Sequence, residues 1–167
     1  MSEKKFKEVE ALNGVGAFHD LFDLPVLDQP QIPDANRCKL RLSLLEEELN
    51  ELKEAIEQGD LVAAADAFCD IQYVLSGAIH EFGLGKHFHY LFEEVQRSNM
   101  SKACSTLEAA EKTRLMYLEQ KRTISEIKQK GDCFLVYRTE DGKVLKSINY
   151  SPADLETLIH NSKKGII

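Results

Sequence analysis

Leu42-Ser43-Leu44-Leu45-Glu46-Glu47-Glu48-Leu49-Asn50-Glu51-Leu52-Lys53-Glu54-Ala55-Ile56 sets an apolar residue at every third or fourth position: Leu42, Leu45, Leu49, Leu52 and Ile56. That spacing predicts one face of an α-helix, running from about Ala35 to Glu57. Gly59 ends it, and Asp60 can cap a following helix from about Leu61 to Phe82. The second helix is apolar nearly all round, through Leu61, Val62, Phe68, Ile71, Val74, Leu75 and Ile79. A helix of this kind is buried on most sides. One hairpin cannot cover it, so a second copy from another subunit is expected to complete a four-helix bundle, in a homodimer or a higher even oligomer.

The same two helices carry the chemistry. Glu47 and Glu51 are four apart and Glu48 and Glu51 three apart, so they share a face. Like charges at these spacings cost a helix about 0.2–0.5 kcal/mol per pair. A solvated acidic face is the plain explanation for such a helix alone. Asp66 and Asp70 change the reading, because they lie one turn apart in an otherwise apolar helix. Buried carboxylates are paired or bound to metal. Between residues 42 and 85 one base, Lys53, stands against ten acids. Glu51, before the turn, and Asp70, after it, are expected to face each other at similar height. A hard divalent cation is the natural counter-charge, and Mg2+ takes carboxylate oxygens together with substrate phosphates.

Outside the hairpin, residues 5–22 predict a helix with Phe6, Val9, Leu12 and Phe18 inward, weakened by Gly14 and Gly16. Pro25, Pro30 and Pro33 make residues 24–34 a connector. Gly83 and Gly85 break the chain before a shorter helix, about Lys86 to Arg97. Thr106 caps a helix to about Glu119. Residues 123–130 and Cys133–Arg138 form a hairpin across Gly131-Asp132, and Lys143-Val144-Leu145 a third short strand.

The net charge is -7. The acidic excess is central, whereas residues 95–167 carry thirteen bases against nine acids. Nucleic acid as partner would call for a basic stripe instead. No uninterrupted apolar run approaches the ~20 residues of a membrane span, and the N-terminus has no apolar signal core, so a cytoplasmic protein without a membrane is expected. Cys38, Cys69, Cys104 and Cys133 lie far apart and form no zinc pattern, which predicts buried free thiols. His19, His80, His87 and His89 read as structural histidines, and no Gly-rich phosphate loop is present.

Glu47-Glu48-Leu49-Asn50-Glu51 followed by Asp66-Ala67-Phe68-Cys69-Asp70 resembles the paired acidic motifs of the all-α nucleoside triphosphate pyrophosphohydrolases. These include MazG, the dimeric dUTPases and phosphoribosyl-ATP pyrophosphohydrolase. Phe18-His19 to Pro33, Arg97-Ser98-Asn99-Met100-Ser101-Lys102, Asp141-Gly142-Lys143-Val144-Leu145-Lys146 and Asn149-Tyr150 are similar to segments of one bacterial and phage branch. The resemblance implies a mainly α, MazG-like helical bundle completed by dimerisation, with a small α+β appendage near the C-terminus. Residues 1–102 would be the pyrophosphohydrolase core, 103–140 an insertion, and 141–167 a tail returning to the active site. It implies Glu48, Glu51 and Asp70 as Mg2+ ligands, with Mn2+ a possible substitute. Glu47 would be a ligand or the base that orients the attacking water. Many relatives have an acid where this chain has Ala67, and Asp66 stands in as the fourth ligand. Asn99, Lys102, Lys143 and Lys146 would complement the triphosphate. The implied reaction is hydrolysis of a nucleoside triphosphate to monophosphate and pyrophosphate, serving nucleotide-pool house-cleaning. Its rivals are hydrolysis of phosphoribosyl-ATP in histidine biosynthesis, and a non-catalytic helical dimer whose acids only solubilise a bundle.

Overall fold

Two aspartates start the two long helices. The Asp34 carboxylate accepts from the backbone N–H of Asn36 and Arg37, and the Asp60 carboxylate from those of Val62 and Ala63. Each satisfies two of the donors that a helix N-terminus leaves open. The computed structural model, which describes residues 5–166, places α2 at Ala35–Gln58 and α3 at Leu61–Glu81. Gly59 joins them at φ 68°, a left-handed conformation that a side chain would strain. α2 and α3 therefore form the antiparallel hairpin read from the sequence, and α1 (Ala11–Leu21) packs on α3.

The helix predicted over residues 5–22 begins later. Residues 5–10 are not helical, and Phe6 and Val9 are exposed. Glu10, at the N-cap, makes no capping hydrogen bond, and only from Val15 onward does a side chain of α1 reach the core. The proline-rich connector is ordered, as expected. The Leu27 N–H donates to the His80 carbonyl and the Gln31 N–H to that of Phe82, which ties the connector across the end of α3. Gly83 makes this possible: at φ +66° its missing Cβ would lie 2.0 Å from the Gln29 carbonyl oxygen.

The apolar stripe of α2 is not an inward face within one chain. Leu45 and Leu52 are half-buried, but Leu42 is 62%, Leu49 46% and Ile56 64% exposed. On α3, Leu61, Val62 and Phe68 are exposed too, and the buried residues include the small Ala64, Ala67, Ser76 and Gly77. By length and composition alone, α3 is apolar enough to cross a membrane. The sequence expectation that nothing approaches such a span holds only for uninterrupted apolar runs, since Asp66, Asp70 and Glu81 punctuate this helix. Core helices of soluble proteins pass the same test.

Of the described residues, those up to Phe88 and from Ile159 form one compact unit, and His89–Leu158 the other. After a single 3-10 turn, Gly85–His87, comes α4, Phe88–Met100. α5 (Leu107–Lys121) starts on Thr106, whose hydroxyl accepts from the Ala109 N–H. β1 (Ser125–Lys130) and β2 (Cys133–Arg138) pair antiparallel from Ser125 opposite Arg138 to Lys130 opposite Cys133, and both pack on α5. Cys104, Ala109, Ala110, Tyr117, Val136 and Leu145 make the core of this unit. The third strand is reduced to one bridge, Tyr137 with Val144. A last helix, α6 (Leu155–Lys163), lies where the sequence reading had only a tail; the Asp154 side chain accepts from the Thr157 N–H in its first turn. All four cysteines are free, but against expectation Cys69 and Cys133 are exposed.

Candidate functional site

Helical register sets the acids in relation to one another. Glu48 lies eleven positions before Gly59 and Asp70 eleven after it, so an antiparallel hairpin brings them level. The electrostatics agree. Partial burial, then the charges of Asp70, Glu51, Glu47 and Asp66 in that order, hold the Glu48 carboxyl above its ordinary range. The strongest charge on Glu48 thus comes across the hairpin, from Asp70. Glu48 and Asp70 are half-buried, while Glu47, Glu51 and Asp66 are exposed. None of the five has an ion pair among the described residues.

Could these residues hold a metal ion? Among the described residues no three His, Cys, Asp or Glu side chains stand close enough together to form a ligating group. The donors are all carboxylate oxygens, however, which is the set that Mg2+ takes. Glu48 sits in the field of four further carboxylates, and among the described residues no cation pairs with any of the five. The donor chemistry fits, and the carboxylates would have to draw together around an ion.

The other end of the same hairpin holds a second charged group that the sequence reading missed. Glu81, at the end of α3, is 1% exposed and forms ion pairs with Arg37 and Arg41 of α2. Burial opposes its ionisation most, but the hydrogen bonds from Arg37 and Arg41 outweigh it and hold the carboxyl below its ordinary range. Arg41 Nη2 also lies 3.2 Å from His19 Nε2. His19 Nδ1 is 2.9 Å from the Pro25 carbonyl oxygen, which can only accept. The network therefore assigns the proton to Nδ1 and makes Nε2 the acceptor for Arg41. Burial first, and the nearby Arg41 charge, lower the His19 pKa, consistent with a neutral ring. His80 Nε2 meets the Leu12 carbonyl at 2.8 Å. Both histidines are structural, as expected. A signal for the cluster was present: Arg37 lies twenty-two positions before Gly59 and Glu81 twenty-two after it. Charge totals by segment do not reveal it, because Arg37 and Glu81 fall in different segments and meet only across the turn.

The second unit holds the candidate phosphate donors. Lys102 Nζ donates to Asn99 Oδ1 at 2.7 Å. Lys146 Nζ stands 4.2 Å over the Tyr150 ring. The Ser98 hydroxyl donates to the Tyr150 hydroxyl oxygen at 3.0 Å. That bond first, then Lys146, and last the Lys102 charge, favour the phenolate and lower the Tyr150 pKa. Lys102 and Lys146 are thus gathered near one phenol, with Asn99 alongside. Lys143 is held instead in the turn after β2, its N–H donating to Asp141 Oδ1 at 3.1 Å. Tyr150 and Ser98 lay inside motifs read from the sequence, but neither was singled out.

Residues 15–99 match the family model described as phosphoribosyl-ATP pyrophosphohydrolase. No curated protein matches the chain.

Proposed function

The chain belongs to the phosphoribosyl-ATP pyrophosphohydrolase family, within the all-α, MazG-like pyrophosphohydrolases, and from that premise we propose that it hydrolyses nucleoside triphosphates to monophosphate and pyrophosphate with Mg2+. One observation carries the reading: Glu48 shares its surroundings with Asp70, Glu51, Glu47 and Asp66, and among the described residues no cation pairs with any of the five. In our reading Glu48, Glu51, Asp66 and Asp70 hold the metal. Bound there, Mg2+ or Mn2+ would supply charge neutralisation for the phosphates and a more acidic water. Glu47 is either a further ligand or the base that takes the proton of the attacking water. That water breaks the bond between the α- and β-phosphates, and pyrophosphate leaves. Asn99, Lys102, Lys143 and Lys146 are assigned to the phosphate chain.

The exposed apolar faces of α2 and α3 support a homodimer or higher even oligomer, in which a second hairpin covers Leu42, Leu49, Ile56 and Phe68. A monomeric mass at micromolar concentration would contradict it. The family description itself favours a second substrate, phosphoribosyl-ATP. Pyrophosphate release from the common and deoxy nucleoside triphosphates, assayed beside phosphoribosyl-ATP, separates the two. Orthophosphate as the first product, with no pyrophosphatase present, would exclude both.

A further inference from the structure

The first unit holds a half-open cavity of about 300 Å³ bordered by α1, α2 and α3. Its apolar walls include Phe18, Leu40, Leu44, Tyr73 and Val74. Phe18 meets Tyr73 edge-on, with ring centroids 5.6 Å apart. Leu44 lies four positions before Glu48 and Val74 four after Asp70, so the cavity begins one helical turn from the acids. One side of the wall is polar. Arg41 lines the cavity and is 8% exposed. Its Nη2 is committed to Glu81 and His19, but its buried Nε has no hydrogen-bond partner. A buried donor left unsatisfied is destabilising.

We propose that this cavity receives the base of the nucleotide, and that Arg41 selects bases with a keto oxygen at the pyrimidine 4- or purine 6-position over those with an amino group there. The inference rests on the pyrophosphohydrolase reading and names its substrate preference. A volume of about 300 Å³ is at the lower end for ligand pockets and suits one heterocycle. The apolar walls exclude a polyanion but accept a flat ring, with aromatic edges at hand for stacking. The Arg41 guanidinium in this wall can only donate. At the pyrimidine 4-position and the purine 6-position, uracil, thymine and guanine present a keto oxygen that accepts, whereas cytosine and adenine present an amino group there that would set donor against donor. Gly77 allows the arrangement: a Cβ there would lie 2.7 Å from Arg41 Nη1 and 3.0 Å from His19 Nε2. Gly77→Ala therefore displaces the guanidinium while leaving the acids around Glu48 unchanged.

The test is kcat/KM of the full chain, by pyrophosphate release in Mg2+, for UTP against CTP and for GTP against ATP. Each keto member should exceed its amino counterpart at least about tenfold, the scale of one base-edge contact. Gly77→Ala should shrink that ratio. Val74→Phe, which fills the cavity from α3, should raise KM for every substrate while thermal stabilisation by Mg2+ stays as in wild type. Equal efficiencies within both pairs, or a Val74→Phe enzyme with unchanged KM, would overturn the assignment. Should either variant fail to fold, calorimetric binding of uridine against cytidine to the wild type decides alone. Uridine bound more tightly supports the cavity assignment, and indifference overturns it. Uridine preference with no pyrophosphate from any triphosphate would sink the hydrolase reading and leave the cavity standing. Pyrophosphate released from all four alike would do the reverse.

Discussion

The two ends of the α2–α3 hairpin treat the same chemical group in opposite ways. At the open end, two arginines meet one buried glutamate, and the carboxyl is pushed toward the charged form. Toward the turn, Glu48 lies in the field of four further carboxylates, none of the five is ion-paired among the described residues, and Glu48 is pushed toward the neutral form. A carboxylate whose counter-charge is supplied by the chain has a structural task. One whose counter-charge is withheld is left for something that the chain does not carry. The contrast is sharper than the acid count, because Glu81 and Asp70 belong to one helix and are separated by three turns.

The largest effect expected from this contrast falls on Glu81. Glu81→Ala leaves buried Arg41 without its carboxylate, and removing one partner of a buried pair costs about 3–5 kcal/mol. Denaturant unfolding reads it. A loss of about 1 kcal/mol, the scale of an exposed pair, would erase the distinction between the two ends. Next in size, Asp70→Asn and Glu51→Gln should lower turnover at least about a hundredfold, as charge stabilisation through the metal is lost. Asp70→Asn should nonetheless melt at or above the wild type in chelator, because it removes a repulsion. Near-normal turnover in either variant would show that the reactive carboxylates lie elsewhere.

A third effect reads the metal directly. Mg2+ at a hundredfold excess over Kd should stabilise the wild type by about 2.7 kcal/mol, a shift of several degrees in Tm for a chain of this size. Asp70→Asn should gain little. Sodium at matched ionic strength is the control, and an equal shift with it would leave only general screening. The smallest effect is on acidification. The folded pKa of Glu81 lies below its ordinary value of 4.5, so the pair stabilises fully above that value. The stabilisation is lost as pH falls through the lowered one. Tm against pH should drop more steeply on this limb for the wild type than for Glu81→Gln. Parallel limbs would mean that the pair contributes no proton linkage.

Much of the first unit was legible in the sequence because its signals are local. Periodic leucines, Gly59 and the Asp60 cap fix α2 and α3 within about a residue of the expected bounds. What failed was non-local. The stripe of α2 announced an apolar face but not what would cover it, so Leu42, Leu49 and Ile56 stand exposed in a single chain. The first predicted turn of α1 had periodicity without a core for Phe6 or Val9 to enter. Lys143-Val144-Leu145 had strand character, yet only Val144 finds a partner across from Tyr137. α6 is short, and its pattern of Leu155, Leu158 and Ile159 is too brief to stand out. At the candidate site the carboxylates were readable from spacing. The arginine–glutamate cluster needed the hairpin to be folded on paper and its rungs counted.

That count leaves a mark on how this sequence can change over evolutionary time. Glu48 with Asp70, and Arg37 with Glu81, are each equidistant from Gly59. Inserting or deleting one residue within α2, between Glu48 and the turn, rotates everything before it by about 100° relative to α3. The acidic face and the arginine lock would then be lost together. Substitutions can accumulate in this stretch one at a time, but changes of length cannot. Gaps among related sequences should therefore gather elsewhere, for instance at the exposed Gly131-Asp132 turn between β1 and β2, where an added residue disturbs only a surface loop. The interval from Arg37 to Glu81 should keep its length even where little of its sequence is shared.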